Sequence, residues 1–422
     1  MHGAGDDSYG ARPYLLVIDT AGNDLYRGGG ATLDADHGIS VLIDAAGNDR
    51  YVQAPELDRL DVASAPSRKR SDLPPAFGAG VMGIGILADL DGDDRYAALN
   101  RSEGSGLLGA GILWDRAGND RYDAYTTSQG SGTAGVGLLA DLAGSDRYLC
   151  FTTSQAFGGV RGFGMLVDAG AGDDSYEAND TVIDFPSPQS AQHNASLSQG
   201  AGFGRRADYL DGHSLAGGIG VLVDEAGANR YLCGIFGQCV GYWYGAGVLC
   251  GGTGPDLYRG AWYVQGASAH YAVGALVEAG GDDRYTATMN MAQGAGHDFG
   301  PGILDDASGS DRYEAPNLSL GGGNANGIGL FHDHAGDDTY VAAAGTTTLG
   351  RASADPAVKG SLRERNLTVG LFLDTGGRDR YPEGMKWARD GAAWTMTDSG
   401  AGPFPSVRGG GLDTEVPCET AP

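Results

Sequence analysis

Residues 83–96 read GIGILADLDGDDRY, and the same phrase returns as GAGILWDRAGNDRY at 109–122, GVGLLADLAGSDRY at 135–148, GIGVLVDEAGANRY at 218–231 and GIGLFHDHAGDDTY at 327–340. Further copies end at Tyr26, Tyr51, Tyr176, Tyr258, Tyr285, Tyr313 and Tyr381, and a half-copy ends at Tyr9. The tyrosines of uninterrupted copies are 25 to 28 residues apart, a constancy that separate globular domains would not show. Between each tyrosine and the next glycine strand lies a third element, typified by Ser128-Gln129-Gly130, Ser198-Gln199-Gly200 and Ala292-Gln293-Gly294. Three short extended pieces per repeat, separated by glycine-rich corners, describe one coil of a solenoid. The period is too short for the four strands of a propeller blade. The expected fold is therefore all-β: a right-handed parallel β-helix of about 12 coils with ~27 residues each, spanning 1–381, with residues 382–422 as a cap or tail carrying Trp387 and Trp394. Stacked at about 4.8 Å per coil, such a rod is roughly 55 to 60 Å long.

Side-chain alternation sorts the strands into faces. Leu87, Leu113, Leu139, Leu166, Leu222, Leu249, Leu276, Leu304, Phe331 and Phe372 share one parity and read as an inward ladder. Two residues beyond each tyrosine the position is small, as at Ala98, Ala124, Cys150 and Cys233, which makes those two cysteines packing residues. The opposite parity of the glycine strand is apolar as well, as at Ile84, Ile86, Phe163, Met165, Ile219 and Ile328, with Trp114, Asp305 and His332 among them. An external apolar sheet calls for a cover: the insertions, a second copy or another protein.

Composition limits the partners. The 422 residues hold 75 glycines, and 54 acidic against 28 basic residues give a formal charge of −26. That excludes nucleic acid and anionic membranes as natural partners, because both are bound by neutralising phosphates. There is no apolar run of membrane-spanning length, and the start MHGAGDDSYG lacks the regions of a signal peptide and begins inside a repeat, as expected of a piece of a longer product. Five cysteines do not make a disulfide framework in a chain of this length.

The corner carries most of the chemistry. One acidic column runs through Asp44, Asp89 and Asp115, a second through Asp49, Asp94 and Asp120. Like charges at the coil spacing repel unless something compensates: a cation, backbone N–H groups or arginine. Arg50, Arg95, Arg121, Arg147, Arg284, Arg312 and Arg380 each follow the second acid, so an Asp and Arg ladder that neutralises itself is one reading.

The other follows from a likeness. AGNDLYRGG at Ala21, AGNDRYVQ at Ala46, GGDDRYTAT at Gly280 and AGDDTYVAA at Ala335 resemble the haemolysin-type (RTX) calcium-binding repeat, over about nine residues of each unit and without its tandem nonapeptides. The resemblance implies calcium as a cofactor, held by oxygen ligands at the corners. The richest corner offers Asp89, Asp91, Asp93 and Asp94, and Asp44, Asp49, Asp115 and Asp120 follow.

Three connections exceed the period, near 52–77, 177–216 and 343–367, and leave the rod on one side, where they can border a groove. Aligned on their glutamines, three repeats bring Trp243, His270 and Asp298 together, with Tyr244, Tyr271 and Phe299 one residue later. The second set is expected as an aromatic core stack and the first as outward-pointing, with Trp262 and Tyr263 nearby. Trp243, Trp262 and Tyr263 are then the ligand-binding candidates, and His270 and Asp298 the catalytic ones. His332 and His334, two apart on a strand, face one way and can hold a transition metal, but the sequence identifies no third ligand.

These observations point to a non-enzymatic acidic solenoid, secreted or displayed at a cell surface, acting as a structural or binding module. It would be stiffened by calcium and would associate with itself or another protein through the apolar sheet. The alternative is a carbohydrate-active β-helix enzyme, a polysaccharide lyase or hydrolase, with its polymer along the looped side.

Overall fold

A computed structural model describes residues 3–353, 360–398 and 407–414. The chain is an all-β parallel solenoid with two long sheets and a third side made of shorter ones. Among the described residues there is no α-helix, only short 3-10 turns at Pro55–Asp58, Val62–Ser64 and Arg363–Arg365.

The glycine strands stack in chain order from Leu16–Ile18 to Thr368–Thr375, and two strands from the expected tail complete a sheet of 14. The tyrosine strands form a sheet of 12, from Ser8–Tyr9 to Thr339–Ala342. Short strands such as Gly106–Leu107 and Gly241–Tyr242 form the third side. Register holds from repeat to repeat: Leu87, Leu113 and Leu139 are direct partners, as are Asp89, Asp115 and Asp141. A one-residue slip would exchange the two faces, so the pattern itself fixes the pairing.

The expected inward ladder forms, and a second one of tyrosines runs beside it. The leucine column from Leu42 to Leu304, continued by Phe331 and Phe372, is wholly buried. The tyrosines from Tyr26 to Tyr313 are wholly buried too, their rings stacked along the axis at 4.5 to 4.9 Å. Burying each such side chain is worth about 1.5 to 3 kcal/mol, repeated at every level of the rod. Glycine is required where backbones meet: a Cβ on Gly111 would lie 2.0 Å from the Ser105 carbonyl oxygen. At the corner, Gly118 has φ +157° and a Cβ there would lie 1.7 Å from the Gly92 carbonyl oxygen of the preceding repeat.

The insertions pack outside the tyrosine sheet and at the corner of the short-strand sheet. Leu57, Val62 and Leu73 of the first insertion pack on Ala97, Leu99, Tyr125 and Phe151 outside the tyrosine sheet, and Val182 and Phe185 of the second join them. The glycine sheet keeps a bare outer face, with Ile84, Val136, Ile219 and Ile328 all exposed. At the C-terminal end, Val407–Thr414 adds in parallel to Thr368–Thr375, aligning Gly409 with Gly370 and Asp413 with Asp374. Ala393–Asp398 closes the sheet in antiparallel pairing, and Trp394 packs on Phe372 and donates Nε1–H to the Leu349 carbonyl at 3.0 Å. Part of the expected tail is thus one more glycine strand, written RGGGLDT from Arg408.

Candidate functional site

Alternation decides where the corner acids go. The second acid and the tyrosine have the same parity with one arginine between them, so acid and tyrosine point inward and the arginine outward. Asp49, Asp94 and Asp120 are buried, as are Asp44, Asp89 and Asp115. The arginines meet other groups: Arg50 binds Asp58, Arg95 the Leu57 carbonyl, and Arg121 both Asp61 and Asp123. The self-neutralising Asp and Arg ladder is therefore corrected: arginine stands on the wrong face of the strand.

Each acid column has its own hydrogen-bond rule. The first acid accepts from tyrosine hydroxyls of two successive repeats: Asp115 Oδ2 from Tyr96 at 2.8 Å and Tyr122 at 3.2 Å, and Asp141 from Tyr122 at 2.7 Å. The second acid accepts a backbone N–H from the repeat before it, so that Asp49 N–H bonds Asp94 Oδ1 and Asp94 N–H bonds Asp120 Oδ1, each at 2.6 Å. Its other oxygen, Oδ2 of Asp49, Asp94, Asp120, Asp146 and Asp311, is buried with no hydrogen-bond partner. Asp49, Asp89 and Asp94 form one close carboxylate triplet, Asp94, Asp115 and Asp120 the next.

Of the corner aspartates in ADLDGDDRY, Asp91 and Asp93 stay outside. Both are exposed, and Asp93 belongs to an outer ladder in which its N–H bonds Asn48 Oδ1 and its own Oδ1 accepts the N–H of Asn119. These two lie in the turn between the strands Ile84–Asp89 and Arg95–Asn100, outside the alternation of either strand.

Burial without a basic partner pushes the interior carboxyls up: Asp49 to about 8, Asp94 to about 11, Asp120 to about 10 and Asp146 to about 9. The first acids beside them reinforce the shift, whereas the backbone N–H bonds oppose it. At neutral pH each such pair retains a proton, so the formal charge of −26 overstates the charge of the folded rod.

Two departures from the repeat show what the corner requires. Asn229 replaces the second acid; its Oδ1 accepts the Asp174 N–H at 2.8 Å and its Nδ2 donates to Asp224 Oδ1 at 2.9 Å. Gly251 replaces a first acid, and Glu278, one methylene longer than aspartate, reaches the vacated space to accept from Tyr258 at 2.5 Å. Tyr231, whose acceptor in the next repeat would have been residue 251, has only Asp224 of its own repeat beside its hydroxyl.

A third interior column went unrecognised in the sequence. Gln129 Nε2 bridges the carbonyls of Tyr122 and Leu149 at 2.9 and 3.0 Å, and Gln155, Gln199, Gln238 and Gln265 repeat the bridge. Its signal was the recurring S-Q-G phrase. Glu103 takes this position in one repeat; it is buried beside Gln129, and burial pushes its carboxyl up to about 8.

The aromatic and histidine cluster is inverted relative to expectation. Tyr244 and Tyr271 are exposed, stacked on each other and on Phe299 at 5.1 and 4.9 Å along the outside, while His270 and Asp298 are buried. The corner residues adopt left-handed backbone, with φ 48° at Trp243 and 55° at Tyr244, which breaks the strand alternation on which the expectation rested. Both later insertions reach this point. His270 Nδ1 lies 2.5 Å from Asp298 Oδ2, Arg206 donates to His270 Nε2 at 2.7 Å, and Arg363 bonds Asp298 Oδ1. Because guanidinium only donates, Nε2 is the acceptor and Nδ1 carries the hydrogen bonded to Asp298. Trp243 lies half-buried beneath Arg206; Tyr263 is buried and stacked with Trp262 at 5.4 Å, within the apolar cluster along the short-strand sheet.

The fold and this interior define a parallel β-solenoid with paired acid columns and a stacked tyrosine column inside it. No known family, no curated protein and no solved structure matches the chain.

Proposed function

We propose that the chain is a non-enzymatic structural module, a right-handed rod of about twelve coils working outside the cell, which associates side by side with a second copy through the glycine sheet. The observation that carries this reading is the bare outer face. From Ile39–Asp44 to Thr368–Thr375 its outward positions are apolar except Asp305 and His332, and no insertion covers it. A partner must present apolar ribs at the same spacing of about 4.8 Å, and a second copy does so by construction, with the two sheets about 10 Å apart. Apart from Asp305, the acidic side chains lie off these outward positions. Sedimentation of the chain at micromolar concentrations should show a dimer or larger assembly that Ile219→Asp together with Val136→Asp returns to monomer. A wild-type monomer would refute the reading.

The carbohydrate-active alternative needs His270 or Asp298 open to substrate. Both are enclosed and bonded to Arg206 and Arg363, an arrangement that fastens two insertions to the rod.

Calcium, implied by the repeat's resemblance, would be held by Asp49, Asp89 and Asp94 and the equivalent triplets. The donor set fits poorly. Calcium takes six to eight oxygens, whereas at the acidic corner the carboxylate oxygens left without a hydrogen bond are the second acid's Oδ2, joined in some repeats by a first-acid oxygen such as Asp115 Oδ1. A proton needs only two oxygens, and we take protons as the interior charge. The expected thermal midpoint is the same in chelator, calcium and magnesium; a calcium-specific rise would overturn this assignment.

A further inference from the structure

We propose that Asp305, His332 and His334 form a transition-metal site of the zinc class on the outer face of the glycine sheet. Parallel pairing supplies the ligand that the sequence could not identify. Asp305 of Pro301–Asp306 lies directly opposite His332 of Ile328–Asp333, and His334 follows just past that strand's end. His332 Nδ1 and His334 Nε2 lie 3.0 and 3.1 Å from the same Asp305 Oδ1, with the two ring centroids 3.6 Å apart. Tetrahedral zinc with bonds of about 2.0 to 2.1 Å holds its ligand atoms ~3.3 Å apart, close to this spacing.

The placement is a local exception to the sheet's own rule. Along this outward register the residues are Ala88, Trp114, Ala140, Val167, Val223, Cys250 and Val277, then Asp305 and His332, then Leu373. A carboxylate and an imidazole side by side replace an apolar rib, and the second imidazole is turned to the same oxygen. The side chains are 24% to 41% exposed, so solvent can complete the coordination. Two nitrogens and one carboxylate oxygen suit zinc, copper or nickel rather than calcium. The interior acids do not enter this assignment, whereas the proposed association uses the same outer face, so the titration is also read on the Ile219→Asp, Val136→Asp double variant, where the face is open to solvent.

The test is calorimetric titration of zinc into the untagged full chain, freed of metal, with cobalt as a spectroscopic probe. One equivalent should bind, cobalt should give the visible bands of a low-coordinate nitrogen and oxygen site, and zinc should shift the ring signals of His332 and His334 in nitrogen-resolved spectra. His332→Ala and His334→Ala should each lose that equivalent, whereas His193→Ala should keep it. Absence of uptake by the wild type, ring signals unmoved by zinc, or uptake that survives the double variant would overturn the proposal.

Discussion

Asn229 donates its side-chain amide to Asp224 Oδ1 at 2.9 Å, in the place where neighbouring repeats set a second carboxyl against the first. An amide N–H and a carboxyl O–H are equivalent donors there, whereas an ionised pair offers none. Asp94→Asn should therefore be tolerated, its oxygen keeping the Asp49 N–H and its nitrogen reaching Asp89. Denaturant unfolding at pH 8 should show stability equal to or above wild type. The dependence on pH should flatten by one proton, about 1.4 kcal/mol per pH unit. Asn229→Asp should steepen it by the same amount. A loss of more than about 2 kcal/mol in Asp94→Asn would instead show that the carboxylate is needed ionised.

The whole rod should lose stability as the medium turns alkaline. Unfolded aspartates titrate near 3.9, but Asp94, Asp120 and Asp311 hold their protons in the folded rod up to about 11, 10 and 9. The folded chain therefore binds more protons than the unfolded one. Their contribution is fully present below about pH 4 and is lost as pH rises through the folded values. Asp184 works the other way: Arg68 lowers it to about 2, so its contribution is present above the unfolded value and is lost as pH falls through about 2. Thermal unfolding across pH 3 to 10 should place the optimum at about pH 4 to 6, with the midpoint falling steadily toward pH 9. A flat profile from pH 5 to 9 would count against buried protons.

Glu103 occupies a position built for an amide. In its neighbours the glutamine nitrogen bridges two tyrosine-sheet carbonyls, and the same register would bring Glu103→Gln to the carbonyls of Tyr96 and Asp123. The substitution should stabilise the rod by about 1 to 2 kcal/mol at pH 8.5, where the glutamate must ionise or hold a costly proton, and by less at pH 6. Equal stability at both pH values would mean that Glu103 finds a partner in solution.

How far the sequence revealed this molecule depends on alternation. Leu113, Tyr122 and Ala124 declare their face because strand periodicity is strict, and the external parity of Ile84 and Ile219 is just as plain. The same rule applied to Asp94 and Arg95 turns the acid inward, a step masked by the habit of setting charged residues outside. Trp243 to Tyr244 defeated the rule because left-handed residues at the corner change which side chain is enclosed. His332 lacked a third ligand for a different reason: Asp305 precedes it by 27 residues, and only the register of adjacent strands makes them neighbours.

Two tyrosines that look identical in sequence should respond differently to loss of their hydroxyl. The Tyr122 hydroxyl lies within hydrogen-bond reach of both Asp115 and Asp141 and gives its single proton to one of them, so Tyr122→Phe removes the group that links two buried carboxyls and should cost about 1 to 3 kcal/mol. Tyr231 has lost its next-repeat acceptor to Gly251 and has only Asp224 of its own repeat beside its buried hydroxyl. Tyr231→Phe should leave stability unchanged or raise it by up to about 1 kcal/mol. Both rings keep their stacking neighbours, so the difference isolates the hydroxyl from the aromatic column. Equilibrium unfolding of the two variants at pH 6 decides the matter, and equal losses would show that the tyrosine hydroxyls stabilise the rod by some means other than the acid column.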